Sequence, residues 1–210
     1  MRPAGATSVN EVVCLASWNA DLVSRVPRPI ARGETLLASG FTIGPGGKGS
    51  NAAVACARQG AKVAVIARIG DDDFGRMALA LWAREGIDAS MVEVVDGEPS
   101  GVAQILVYDD GDNSIAVAPG AGAGLGARHA DAAAERLCKA HVVMASCEVP
   151  IEAMIAAFAQ ARRGGRARPR ARGDGLVRGA SGGDARRIRA RPQGRCPHPA
   201  QPRAGPAAAR

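Results

Sequence analysis

Six consecutive residues, Gly46-Gly47-Lys48-Gly49-Ser50-Asn51, combine three glycines with a cation, a hydroxyl and an amide. Glycine lets the backbone turn tightly and come close to a ligand. The Ala-rich segment 52–59 that follows reads as a helix stopped by Gly60. A helix start offers unpaired N–H groups and a positive dipole end. Lys48 adds a mobile cation, and Asn51 both donates and accepts. This is the chemistry of a pocket for a small polar molecule, one that carries or receives phosphate included. The string is not a Walker A loop, which needs G-x-x-x-x-G-K-[ST]. Gly47-Lys48 is followed by Gly49, and the position five before Gly47 is Thr42. A purely structural Gly-rich turn into a helix is the plain alternative.

Other polar residues fall at the ends of apolar runs. Val9 to Ala16 is nearly continuously apolar and predicts a buried parallel strand, with Asn19 and Asp21 just past its end. His141 to Ala145 predicts another, followed by Glu148. In open α/β sheets that edge is where ligands bind. Asp71, Asp72 and Asp73 look like a metal cluster only at first sight. Three consecutive side chains diverge around a turn, so helix capping is the expectation. The string Asp73-Phe74-Gly75 has no other protein-kinase element beside it. Gly120 to Gly126 fails G-x-G-x-x-G, so no dinucleotide fingerprint is present. Cys147 has no evident His partner and reads as a packed thiol, and His129 and His141 as surface or strand-edge residues.

The elements that must position these groups follow from the pattern. Glu34 to Ile43 is extended, Lys62 to Ile69 a buried strand, Phe74 to Glu85 a helix ended by Gly86. Gly101 to Tyr108 and Asn113 to Ala118 form a hairpin about Asp109–Asp112. Gly120 to Gly126 reads as a flexible linker, 127–139 as one helix and 151–162 as an amphipathic helix. Strands alternating with helices predict an α/β doubly wound parallel sheet. The hairpin breaks that rhythm and, with 34–43, predicts a small separate antiparallel sheet.

The chain has 210 residues and five cysteines, an odd set without C-x-x-C, so reduced thiols in a cytoplasm are expected rather than a disulfide scaffold or zinc site. No apolar run approaches the ~18 residues of a membrane span. The net charge of +7 misleads as an average. Residues 163–210 hold 13 Arg and two Asp, a net +11, which leaves −4 for residues 1–162. From about 163 the chain is nearly all Arg, Ala, Gly and Pro, with only Leu176, Val177 and Ile188 as larger aliphatics. That composition predicts a disordered tail. It is also what a GC-rich gene spells when read out of frame.

The polar groups and the hairpin together resemble the ribokinase group of carbohydrate kinases, the PfkB family. The resemblance rests on Gly46 to Ala53, six residues, Gly60, nine residues, then Gly70, and covers about residues 8–162. The segments S-W-N-A-D (17–21), G-D-D-D-F-G (70–75), S-G-V-A-Q-I-L-V (100–107) and E-V-P (148–150) agree with it. It implies a ribokinase-like α/β sandwich with a β lid formed by about 34–43 and 101–118. It implies that Asn19, Asp21, Gly46, Gly47, Lys48, Asn51 and Glu148 hold a sugar, most like ribose, and that Ala103, Ile105 and Val117 line the lid. It also implies ATP with Mg and K, phosphoryl transfer to a sugar hydroxyl, and a homodimer through interlocked lids. The family's catalytic G-A-G-D motif, its N-x-x-E motif, its adenine pocket and its potassium loops have no counterpart here, and Gly122 replaces a family Asn.

The leading reading is thus a ribokinase-type sugar kinase whose catalytic and nucleotide-binding half is missing, inactive as written. A non-enzymatic sugar-binding fragment or pseudo-kinase, and a fragment of another sugar or nucleoside kinase, are alternatives. A third reading, nucleic-acid binding by the Arg-rich tail, meets no folded motif and no aromatics, so only nonspecific phosphate contacts are expected. No specific nucleic acid and no membrane are expected as partners.

Overall fold

A computed structural model describes residues 11–164. The tail reading therefore lies outside the described residues.

Four parallel strands form one sheet in the order β5-β4-β1-β8: β1 (Glu11–Leu15), β4 (Lys62–Gly70), β5 (Asp88–Val95) and β8 (Val142–Ala145). β1 and β4 are almost wholly buried, as parallel strands covered on both faces must be. α1 (Lys48–Arg58) and α2 (Asp73–Arg84) cover one face, where Val12, Cys14, Val63 and Val65 meet Ala53, Ala78, Leu81 and Trp82. α3 (Ala127–Ala132), α4 (Ala134–Lys139) and α5 (Ile151–Arg163) cover the other, against Val13, Leu15 and Ile66. The expected doubly wound α/β arrangement is present.

The second sheet runs β3-β2-β6-β7, with β2 (Asn19–Arg25), β3 (Gly40–Gly46), β6 (Val102–Val107) and β7 (Asn113–Ala118). The expected hairpin is β6–β7. The sheet is mixed rather than antiparallel, because β2 pairs parallel to β6. Asn19 and Asp21 thus open a strand and do not sit in a loop. The strand expected at 34–43 begins only at Gly40, where pairing with Arg25 becomes available. Glu34 instead ties back to Arg28 and the Ala31 N–H in the preceding loop. Strand β3 continues through Gly44-Pro45-Gly46, a stretch that looks like a turn by composition; an edge strand tolerates the missing Pro N–H.

Three further differences have local causes. β5 carries Asp88 and Glu93, which mask its strand pattern, and both carboxylates are held by ion pairs to Arg136 and Arg68. The helix expected over 127–139 breaks at Ala133. The Gly120–Gly124 segment is not a loose linker but a 3₁₀ turn with Ala121 fully buried, its carbonyl accepting from Arg68 Nη1 at 2.7 Å. Cys14, Cys56 and Cys147 are free thiols; Cys138 is outside that set.

Candidate functional site

The site lies where β1 hands over to the second sheet. Ser17 and Trp18 bridge β1 and β2, and β3 delivers the chain into α1 at Gly47. Gly47 has φ +89°, and a Cβ there would lie 2.5 Å from the Ser17 carbonyl oxygen, so only glycine fits. A Cβ on Gly46 would overlap the Asp21 carboxylate, which lies across that glycine.

The first turn of α1 is fully engaged. The Lys48 N–H donates to Glu148 Oε2 at 2.8 Å, the Gly49 N–H to Ser17 Oγ at 3.0 Å, and the Ser50 N–H to the Ser17 carbonyl at 3.1 Å. A phosphate would have to displace these partners, so the start of α1 is not an open anion cradle. Glu148 also accepts from Ser17 Oγ at 2.8 Å and pairs with Lys48 Nζ at 2.5 Å. Burial pushes its carboxyl up, but the donors from Lys48 and Ser17 outweigh burial and hold it below the usual carboxylate range. Asp21 shifts the opposite way, raised by burial and by the negative charge of Glu148.

Among the described residues no donor pairs with the Asp21 carboxylate, and the side chains of Asn19 and Asn51 make no hydrogen bond. Asn19 is only 7% exposed. The site therefore presents one carboxylate and two amides with unspent capacity beside a satisfied carboxylate–ammonium pair. Such a set accepts from and donates to neighbouring hydroxyls.

The sheet register extends this set. Asp21 pairs with Ala103 across β2–β6, and Ala103 with Val117 across β6–β7, so the three share one face as a continuous row. Ile105, two residues on from Ala103, shares that face beside Ile115. Ala103 is buried, Ile105 half-buried and Val117 exposed. Asn51 sits in the first turn of α1, exposed, one turn beyond Gly47.

Sequence reasoning passed over Ser17, which holds Glu148 and two amides of α1 at once. A serine between a strand end and a Trp carries no signal of that role. It also passed over Ser100, whose N–H and hydroxyl both reach Asp72 at 2.8 and 2.6 Å. Asp72 is the expected cap of α2, accepting from the Gly75 N–H at 2.7 Å. Through Ser100 it fixes the entry to β6. Among the described residues no cluster of His, Cys, Asp or Glu could hold a metal ion, and no helix is long and apolar enough to cross a membrane.

An open parallel sheet joined to a second sheet, with carboxylate and amide groups at their junction, defines the class. The chain belongs to the pfkB family of carbohydrate kinases, whose family profile matches residues 9–173. It is 37% identical over 151 residues to a ribokinase of Haemophilus influenzae, covering 72% of this chain and 49% of that protein. It is 37% identical over 142 residues to a deoxyribokinase of Salmonella typhimurium, covering 68% and 46%. The solved structure of Arabidopsis thaliana ribokinase complexed with ribose and ATP superposes with a TM-score of 0.69 at 27% identity, covering 76% of this chain and 52% of that one. The chain thus spans about half the length of the relatives it matches.

Proposed function

We propose that residues 8–162 are the sugar-binding part of a ribokinase-type carbohydrate kinase, with D-ribose or a closely similar furanose as ligand. The observation that carries this is the unspent hydrogen-bonding capacity of Asn19, Asp21 and Asn51 beside the Glu148–Lys48 pair. A furanose offers adjacent hydroxyls that each donate and accept, and a buried acceptor left unpaired disfavours analogues lacking one. Asp21 and Glu148 accept from sugar hydroxyls, Asn19 and Asn51 do both, and Lys48 donates. Gly46 and Gly47 let the backbone approach. Ala103, Ile105 and Val117 form the apolar cover, the second sheet acting as a lid. The exposed apolar side chains Ile115 and Val117 support lid-to-lid pairing of two copies.

Phosphoryl transfer needs a base for the acceptor hydroxyl and donors for the migrating group. At this site Glu148 is committed to Lys48 and Ser17, the amides of the α1 start are occupied, and Asp21, the carboxylate without a donor, is assigned to holding the sugar hydroxyls. With its N–H groups occupied, the start of α1 offers no cradle for a nucleotide phosphate. We therefore propose that this chain by itself binds sugar without phosphorylating it. Assays of the purified chain with ribose and ATP, beside equilibrium dialysis with labelled ribose, test both halves of the reading. Saturable binding without turnover supports it; turnover above a vector control, or no binding at all, contradicts it. The deoxyribokinase relative keeps 2-deoxyribose as the second candidate sugar.

A further inference from the structure

Ser17 Oγ stands where three elements meet. β1 and β8 run parallel with Leu15 beside Ala145, so both chains leave the sheet at the same level. Ser17 thereby comes within reach of Ser146 and Glu148, and the start of α1 arrives at the same point through Gly49. The Ser17 hydroxyl lies 2.8 Å from Glu148 Oε2, 3.0 Å from the Gly49 nitrogen and 3.3 Å from Ser146 Oγ, and the residue is buried.

A hydroxyl has one hydrogen and two lone pairs, and that count fixes the direction of each bond. A backbone N–H only donates, so Gly49 takes one lone pair of Ser17. An ionised carboxylate only accepts, so the Ser17 hydrogen goes to Glu148. The second lone pair is left for the Ser146 hydroxyl, which donates. The same count separates the two oxygens of Glu148. Oε2 accepts from the Ser17 hydroxyl and from the Lys48 N–H, which uses both its lone pairs. Oε1 has Lys48 Nζ as its one partner among the described residues and keeps a lone pair free. The charged groups that face Glu148 are Lys48 on α1 and Asp21 on β2. The Lys48 side chain is largely exposed and screened by water, so the buried Ser17 hydroxyl is the firmer hold on the carboxylate.

We propose that Ser17 is a positioning residue of the sugar site: its hydroxyl ties down Glu148 Oε2 and so presents Oε1 as the oxygen that accepts a sugar hydroxyl. The ligand in this statement rests on the sugar-binding reading; the hold of Ser17 on Glu148 exists without it. The same bond favours the ionised carboxylate, because a proton on Oε2 would face two donors.

The test follows the Glu148 side-chain carboxyl carbon by NMR through a pH titration of the full chain, assigned with Glu148→Gln, and measures D-ribose affinity by calorimetry. Ser17→Ala removes one hydrogen bond to a charged group. The Glu148 midpoint is expected to rise by about one pH unit, and ribose affinity to fall about tenfold. Ser17→Cys keeps the side chain's shape with a weaker donor, and a smaller upward shift is expected. It carries the test if the unpaired Gly49 N–H keeps the alanine variant from folding. Ser146→Ala leaves the Ser17–Glu148 bond in place and should leave the midpoint nearly unmoved. A merely structural serine would lower stability and leave the Glu148 midpoint at the parent value in a folded variant, which overturns the proposal. So does a shifted midpoint with ribose affinity unchanged. A parent chain that binds no ribose, with the midpoint shifted in the variants, overturns the sugar-binding reading and supports the hold of Ser17 on Glu148.

Discussion

Glu148 Oε2 accepts the backbone N–H of Lys48 at 2.8 Å across 100 positions of sequence. The carboxylate that closes the parallel sheet's last turn therefore caps the helix that begins the Gly-rich loop. Removing the cap and removing the ion pair should have unequal effects. Glu148→Ala is expected to cost about 1–3 kcal/mol, because it strips a partner from three donors, the Lys48 N–H, Lys48 Nζ and Ser17 Oγ. Lys48→Ala is expected to cost under about 1 kcal/mol, its side chain being 69% exposed. Urea unfolding of the two variants checks the order.

Gly47→Ala forces a Cβ against the Ser17 carbonyl at a positive φ. A cost of about 1–3 kcal/mol is expected, together with loss of sugar affinity, since Ser17 also holds Glu148. Paired denaturation and calorimetric titrations check it. An alanine variant of parental stability would show that the loop has another conformation.

Acid should act in two stages. Asp21 is raised by burial and by Glu148, so its ionised form opposes folding, and that cost disappears as pH falls through its raised value. Glu148 is lowered against burial by its donors. Its stabilisation is present above the ordinary carboxylate value and is lost as pH falls through the lowered one. Sugar affinity should therefore decline first, with the fold intact, and stability at this site only at lower pH. Asp21→Asn should abolish the first stage. Titrations of affinity and of circular dichroism across pH 3–8, a range chosen to bracket both carboxylates, separate the stages.

Trp82 is fully buried, donates from Nε1 to Ser50 Oγ at 2.9 Å, and meets Trp18 edge-on with ring centroids 5.8 Å apart. Trp82→Phe loses both volume and the hydrogen bond, and about 1–3 kcal/mol of destabilisation is expected. Trp18 stands between Ser17 and Asn19, so sugar binding should also change the fluorescence it contributes.

What was legible in the sequence was whatever depends on local pattern. The buried strands β1 and β4, the Asp72 cap and the β6–β7 hairpin all follow from apolar runs and turn residues, whereas β8 is a strand as its apolar run predicts but is not buried. The Gly46–Asn51 string stands out because glycine, cation and amide types are informative by themselves. What depends on distant pairing was not legible. Strand β2 has Asn19 and Asp21 at its start and reads as a loop until β3 and β6 flank it. Gly44-Pro45-Gly46 reads as a turn until Asn19, Ala20 and Asp21 pair with it. Arg68 fixes the Gly120–Gly124 turn through a contact that no local pattern reveals. The row Asp21–Ala103–Val117 exists only because three strands share a register.

The measurement that bears most directly on the sugar-binding assignment is calorimetric titration of the full chain with D-ribose, repeated for Asp21→Asn. Saturable binding is expected, weakened about 10–100-fold in the variant at unchanged circular dichroism. A folded chain that binds no ribose, or binds it equally well without the Asp21 carboxylate, would contradict the assignment.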